Sequence, residues 1–334
     1  MRNQFWIYFL IASLAFGCAS PKVPKTQNVY GPQPEPVYPV PIGPAESLVP
    51  QVNQTPPVGN PADVKPNGEP IPENRVENRK IALVLGGAGV ASFATVGLLK
   101  RFQEEGVNIE YIITTGWPTL FTLGFGLLRS VHDVEWFASR LRDRDFHNAG
   151  IFNKGSSSVN DQLSGLIEST FRQGNLSQSK VPIIISASNT ELSGSEIYEQ
   201  GDWKEPLLKT MSIPGIYRPF ASPNGSEWIQ SLRGLDVEEA EKRGSHLIVA
   251  VDMYDDYLES FKGKKDPQDK VFKKLYVGEL KKHIAKELKA ATLSSRIVLG
   301  KAPNDFGARR AAILAGYKEG TRLVKELQSY LRYN

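Results

Sequence analysis

Residues 81–118 read IALVLGGAGVASFATVGLLKRFQEEGVNIEYIITTGWP, and the fold follows from this stretch. Ile81, Leu83 and Leu85 belong to an apolar run of strand length that stops at Gly86 and Gly87, the pattern of a strand buried on both faces of a parallel sheet. Phe93, Val96, Gly97, Leu99 and Phe102 then place apolar and small groups at helical spacing, and Gly106 stands where a left-handed C-terminal cap belongs. Ile109 to Ile113 predict a second strand, ending at Thr114, Thr115 and Gly116. Pro118 brings a fixed backbone angle suited to the first turn of a helix through Leu120 and Phe121.

Working outward, apolar strand runs alternate with helical patterns from Ile81 to Leu299. The expectation is one α/β domain over residues 79–334, a three-layer sandwich with a mainly parallel central sheet. Helices are expected over Val134 to Arg142, Ser158 to Arg172, around Glu205 to Met211, and over Phe306 to Leu331. Strands are expected over Val181 to Ser188, His246 to Val251 and Arg296 to Leu299, with a short strand between turns at Gly194 and Gly201.

Upstream, Met1 to Gly17 carry one positive charge at Arg2 and an apolar run from Phe5 to Phe16, too short to span a bilayer. This is a secretory signal pattern. Leu14 to Cys18 resemble a bacterial lipoprotein signal, which implies that Cys18 becomes the lipid-modified first residue of a mature chain anchored in a membrane of the bacterial cell envelope, periplasm-facing or at the outer membrane. Cys18 is the only cysteine, so a disulfide within the chain does not explain it. The competing reading is a plain cleaved signal with an incidental cysteine. Residues 18–78, with runs such as GPQPEPVYPVPIGP, carry no apolar periodicity and read as a lipidated, Pro-rich disordered tether; the same prolines would also suit docking to a partner.

Net charge is only +4, from 40 Lys and Arg against 36 Asp and Glu, and no basic fold motif is present, so nucleic acid is not an expected partner. A lysine-rich stretch, Phe261 to Lys289, has Phe272, Leu275, Leu280, Ile284 and Leu288 at partly helical spacing. It reads either as a helix covering the sheet with its lysines in water or as one lying on an anionic lipid surface.

The central stretch resembles the patatin-like phospholipase family, whose members carry a glycine-rich loop with an arginine and then a G-x-S-x-G nucleophile elbow. Gly86, Gly87, Ala88 and Gly89 fit the loop, but the arginine position holds Ala91. Thr114-Thr115-Gly116-Trp117-Pro118 fits the elbow with Gly116 in place of the nucleophilic serine. Met211 to Phe220, MSIPGIYRPF, is similar to a further family segment, after which the family places its catalytic aspartate. Here Gln230 takes that place when aligned from the left, or Trp228 when aligned from the following helix, and neither is a general base. Asp236 comes too late and reads as an acid near a helix start. Ala315 to Gly320 is close to the family's G-Y-x-A in the terminal helix.

The resemblance therefore implies the fold without its catalytic residues, needing no metal and no cofactor: a non-catalytic patatin-like lipoprotein binding a lipid or protein partner. The backbone N–H groups of Gly87 to Val90 remain as an oxyanion-type nest, or else as close strand-to-helix packing. A second reading is a lipid acyl hydrolase with a displaced nucleophile, Thr115 or Ser92, although His132, His147, His246 and His283 are scattered. A third, dinucleotide binding at the Gly87 to Ser92 loop, lacks the acidic residue that should end the second strand.

Overall fold

The computed structural model describes residues 80–128, 130–142, 145, 161–171, 174–191, 195–261 and 273–333. The signal pattern, Cys18, the tether, His147, Gly194 and the lysines Lys262, Lys264, Lys265 and Lys270 lie outside the described residues.

In chain order the elements are β1 (Ile81–Gly87), α1 (Ala94–Glu104), β2 (Ile109–Gly116), α2 (Pro118–Leu127), α3 (Val131–Arg140), α4 (Asp161–Phe171), β3 (Ile183–Asn189) and β4 (Ser195–Tyr198). They continue as α5 (Lys204–Met211), β5 (Phe220–Ala221), β6 (Glu227–Gln230), α6 (Val237–Lys242), β7 (Ile248–Met253), α7 (Asp255–Glu259), α8 (Gly278–Ala290), β8 (Leu293–Arg296) and α9 (Arg309–Tyr333). Strands β3, β2, β1, β7 and β8 lie side by side and parallel. β4 and β6 pair antiparallel with β3, and β5 with β6. The result is a mixed, mainly parallel sheet with helices on both faces.

The continuous apolar run of β1 has a direct cause. Ile81, Leu83 and Leu85 point into a core with Leu98, Leu99 and Phe102 of α1 and Leu323, Val324 and Leu327 of α9. Ala82 and Val84 point into the opposite core with Trp117, Leu120, Leu280 and Ile284. All seven β1 residues are buried, so alternation would have left polar groups in one core or the other. α1 and α9 cross backbone on backbone. A Cβ on Gly97 would strike the Ile313 carbonyl and one on Gly316 the Ala94 carbonyl, which assigns Gly316 a packing role.

Several boundaries differ from expectation. The last strand is Leu293–Arg296 rather than Arg296 to Leu299, because β8 aligns Val249 with Leu293 through Asp252 with Arg296. The chain then leaves the sheet, since the Asp256 carboxylate takes the Leu299 and Gly300 N–H groups at 2.8 Å each, and Val298 stands 53% exposed. Phe306–Ala308 is a 3-10 turn before the terminal helix. α3 starts three residues earlier than expected, at a capping box between Ser130 and Asp133. The lysine-rich stretch forms a single π turn, Lys273–Val277, and then α8, with Leu280 and Ile284 buried against the sheet. Lys281, Lys282, Lys286 and Lys289 are exposed.

Candidate functional site

The elbow is built by the end of β2 running into α2. Gly116 has φ of 73°, a left-handed conformation natural to glycine. The Trp117 N–H donates to the Gly87 carbonyl at 3.1 Å and ties the turn to β1. The Gly116 N–H donates to Thr210 Oγ1 at 2.8 Å, and that hydroxyl donates to the Ser186 carbonyl at 2.9 Å.

The direction above Gly116 is closed. A Cβ built there would collide with the Gly87 carbonyl oxygen and lie 3.0 Å from Tyr254 Oη and 3.3 Å from Gln230 Oε1. Tyr254 Oη donates to Gln230 Oε1 at 2.9 Å, and Gln230 Nε2 donates to Tyr276 Oη at 2.6 Å. Burial pushes the Tyr254, Tyr257 and Tyr276 phenols above their ordinary range, so they stay protonated and serve as hydrogen-bond groups. The Trp117 ring, 2% exposed, stacks on Phe306 with centroids 5.8 Å apart and packs 5.7 Å from Tyr217.

Of the two candidates for the aspartate position, the structure brings Gln230 to Gly116. Trp228, two residues earlier on β6, lies with its ring 3.9 Å from the Lys209 ammonium. Ala91 is buried within the apolar core that contains β1 and α1. In the glycine loop, the Ala88 N–H donates to the Met253 carbonyl at 3.4 Å and the Val90 N–H to the Pro303 carbonyl at 2.8 Å. Two donors of the expected anion nest are thus engaged by backbone, and residues 86–93 are all buried.

The alternative nucleophiles are equally enclosed. Thr115 Oγ1 accepts the Ser231 N–H at 2.9 Å and meets Thr210 Oγ1 at 3.2 Å. Because Thr210 spends its proton on Ser186, Thr115 is the donor of that second bond and no base takes its proton. Ser92 Oγ is buried without a hydrogen-bond partner. His132, His246 and His283 lie at the surface.

Sequence reasoning missed a buried carboxylate. Asp236, expected to serve the helix start, makes no cap bond with its side chain. It is 3% exposed and accepts instead from the Ser186 hydroxyl and, at 3.3 Å, from the Ser231 hydroxyl. Burial raises its pKa, against the pull of those two donors. The start of α6 is capped from another helix, Glu287 of α8 accepting the Glu238 N–H at 3.0 Å. The only sequence signal was the alternation of Ser186 and Ser188 within an otherwise apolar strand. A second buried acid, Asp252 at the end of β7, accepts the Tyr254 N–H and Arg296 Nε, both at 2.9 Å; burial nevertheless pushes it up to about 6. Among the described residues no cluster of three or more His, Cys, Asp and Glu is arranged to hold a metal ion, and no helix is long and apolar enough to cross a membrane.

The fold and the elbow define an α/β protein with a strand-turn-helix corner of the hydrolase type, occupied by glycine. No family model matches the chain. Over 196 residues it is 22% identical to lysophospholipase NTE1 of Kluyveromyces lactis, a stretch that is 53% of this chain and 13% of that much longer protein. Among solved structures, VipD from Legionella pneumophila aligns with a TM-score of 0.41 and 11% identity, covering 74% of this chain and 67% of that one. These matches support a distant relation to patatin-like phospholipases.

Proposed function

We propose that the protein is a non-catalytic patatin-like domain that binds a lipid or protein partner, held at the bacterial cell envelope by a lipidated Cys18. The single observation that carries the loss of catalysis is the geometry at Gly116. The position of a nucleophile's Cβ is taken by the Gly87 carbonyl, and the neighbouring position of a base is filled by the Gln230 amide, fixed between Tyr254 and Tyr276. Covalent acyl transfer needs an oxygen nucleophile with a base in hydrogen-bond reach, and this corner holds neither.

Lipidation rests on the signal-like segment and the lone cysteine. A displaced nucleophile gains no support, since Thr115 is locked between two hydrogen-bond partners and Ser92 has no base.

The test is an assay of short-chain esters and lysophospholipids with wild type, Gly116→Ser, and Gly116→Ser combined with Gln230→Asp. Wild type should give background rates and the single variant should recover little, because nucleophile and base act as a unit. Turnover by wild type that disappears in Thr115→Val or Ser92→Ala would overturn the proposal.

A further inference from the structure

A cleft of about 510 Å³ opens beside the degenerate corner, between the turn after β6 and the face of α8 with its preceding π turn. That volume lies within the roughly 300–1,000 Å³ of small-molecule sites. Its apolar wall comprises Leu232, Leu275, Tyr276 and Leu280. Tyr276 forms the partition, its hydroxyl bonded to Gln230, so the cleft lies next to Gly116 without reaching it. Leu275 is 62% exposed at the mouth, although most large apolar side chains of the fold are buried.

The rim is charged, and its acids are already engaged. Arg233, Lys242 at 2.9 Å and Lys286 at 3.8 Å all lean on the one Glu238 carboxylate, which Lys242 and Arg233 hold down at about 2. Glu279 is paired with Lys282 at 2.6 Å, and Glu287 spends its carboxylate on the start of α6. His283 adds a further donor on the same rim. Three cations against one carboxylate leave a positive excess over an apolar wall, an arrangement that receives a negative head with an apolar tail.

We infer that this cleft binds a single-chain anionic amphiphile, its tail against Leu232, Leu275 and Leu280 and its head between Arg233 and Lys286. The inference rests on the non-catalytic binding reading above and gives it a location away from the elbow. The same chemistry can be offered by a free fatty carboxylate or by an anionic headgroup in a bilayer.

The experiment titrates laurate into the full-length chain carrying Cys18→Ser, by calorimetry, beside Leu275→Glu, Lys286→Glu and, as head-group control, dodecylammonium. Both substitutions fall on exposed side chains, so the fold is retained. Laurate should bind, each substitution should weaken it at least about tenfold, and dodecylammonium should bind at least about tenfold more weakly than laurate. No laurate binding, equal affinity in both variants, or equal affinity for the two heads would each overturn the assignment. Co-sedimentation with phosphatidylglycerol vesicles that is lost in Leu275→Glu identifies a bilayer as the source of the head; laurate binding without co-sedimentation identifies a free amphiphile. Ester turnover read in the same samples separates the two proposals. Turnover counts against the non-catalytic reading, whereas loss of laurate binding alone counts only against the cleft.

Discussion

Replacing Gly116 by alanine probes the corner most directly as a matter of packing. At φ of 73° a residue with a Cβ pays on the order of 1–2 kcal/mol for the left-handed conformation. The added carbon would also meet the Gly87 carbonyl oxygen, an acceptor that already holds the Trp117 N–H, and overpacking of this kind costs roughly 1–3 kcal/mol more. The sum is about 3 kcal/mol. Gly106 supplies the control: its φ is 63° and a Cβ there has nothing within 4 Å, so Gly106→Ala should carry the backbone cost alone, about 1 kcal/mol. Urea denaturation of wild type and both variants, at constant m-value, measures the difference. Equal losses at the two positions, or a Gly116→Ala variant within about 0.5 kcal/mol of wild type, would refute the claim that the nucleophile's place is physically filled.

Other outcomes follow from the same geometry. Asp252 is fully buried and titrates near 6 in the fold against 3.8 in its ordinary range, so the folded state holds a proton that the unfolded chain releases. Its contribution is therefore fully present below about pH 4 and is lost as the pH rises to about 6, a fall of about 3 kcal/mol that Asp252→Asn should not show when stabilities are compared across that window. Gly316→Leu should drive α1 and α9 apart and cost at least about 3 kcal/mol, seen as a lowered urea midpoint. Cys18→Ala should release the protein from membranes and remove an acyl-sized increment from its mass; an unchanged mass and distribution would end the lipoprotein reading.

What was legible in the sequence was whatever local chemistry controls. The run from Ile81 to Leu85, the glycine pair and Pro118 carry their conformational meaning within a few residues, so β1, α1, β2 and α2 were readable at once. The corner's emptiness was readable too, because Gly116 has no side chain in any fold. The choice between Gln230 and Trp228 was not, since it depends on the register of β6 against β3, where Ala187 aligns with Gln230 and Asn189 with Trp228. The tyrosines that close the site come from 24 and 46 residues beyond Gln230, and nothing in their local sequence marks them as its partners. Asp236 was misread for a related reason. An acid before a helix ordinarily caps it, but here Glu287, from 49 residues beyond Glu238, does so and leaves Asp236 to two serines. β8 was placed three residues late because Ile297, Val298 and Leu299 look like strand, while Asp256 takes the N–H groups that a strand would have offered to the sheet.

The central claim is that this corner contains no reactive oxygen, and a fluorophosphonate that acylates activated hydroxyls tests it without reference to any substrate. Intact-mass spectrometry of the treated wild-type protein should show an unchanged mass, because Gly116 has no oxygen, Thr115 has no base and Ser92 is sealed in the core. A stoichiometric adduct on the native protein, absent from Thr115→Val or from Ser92→Ala, would contradict the account.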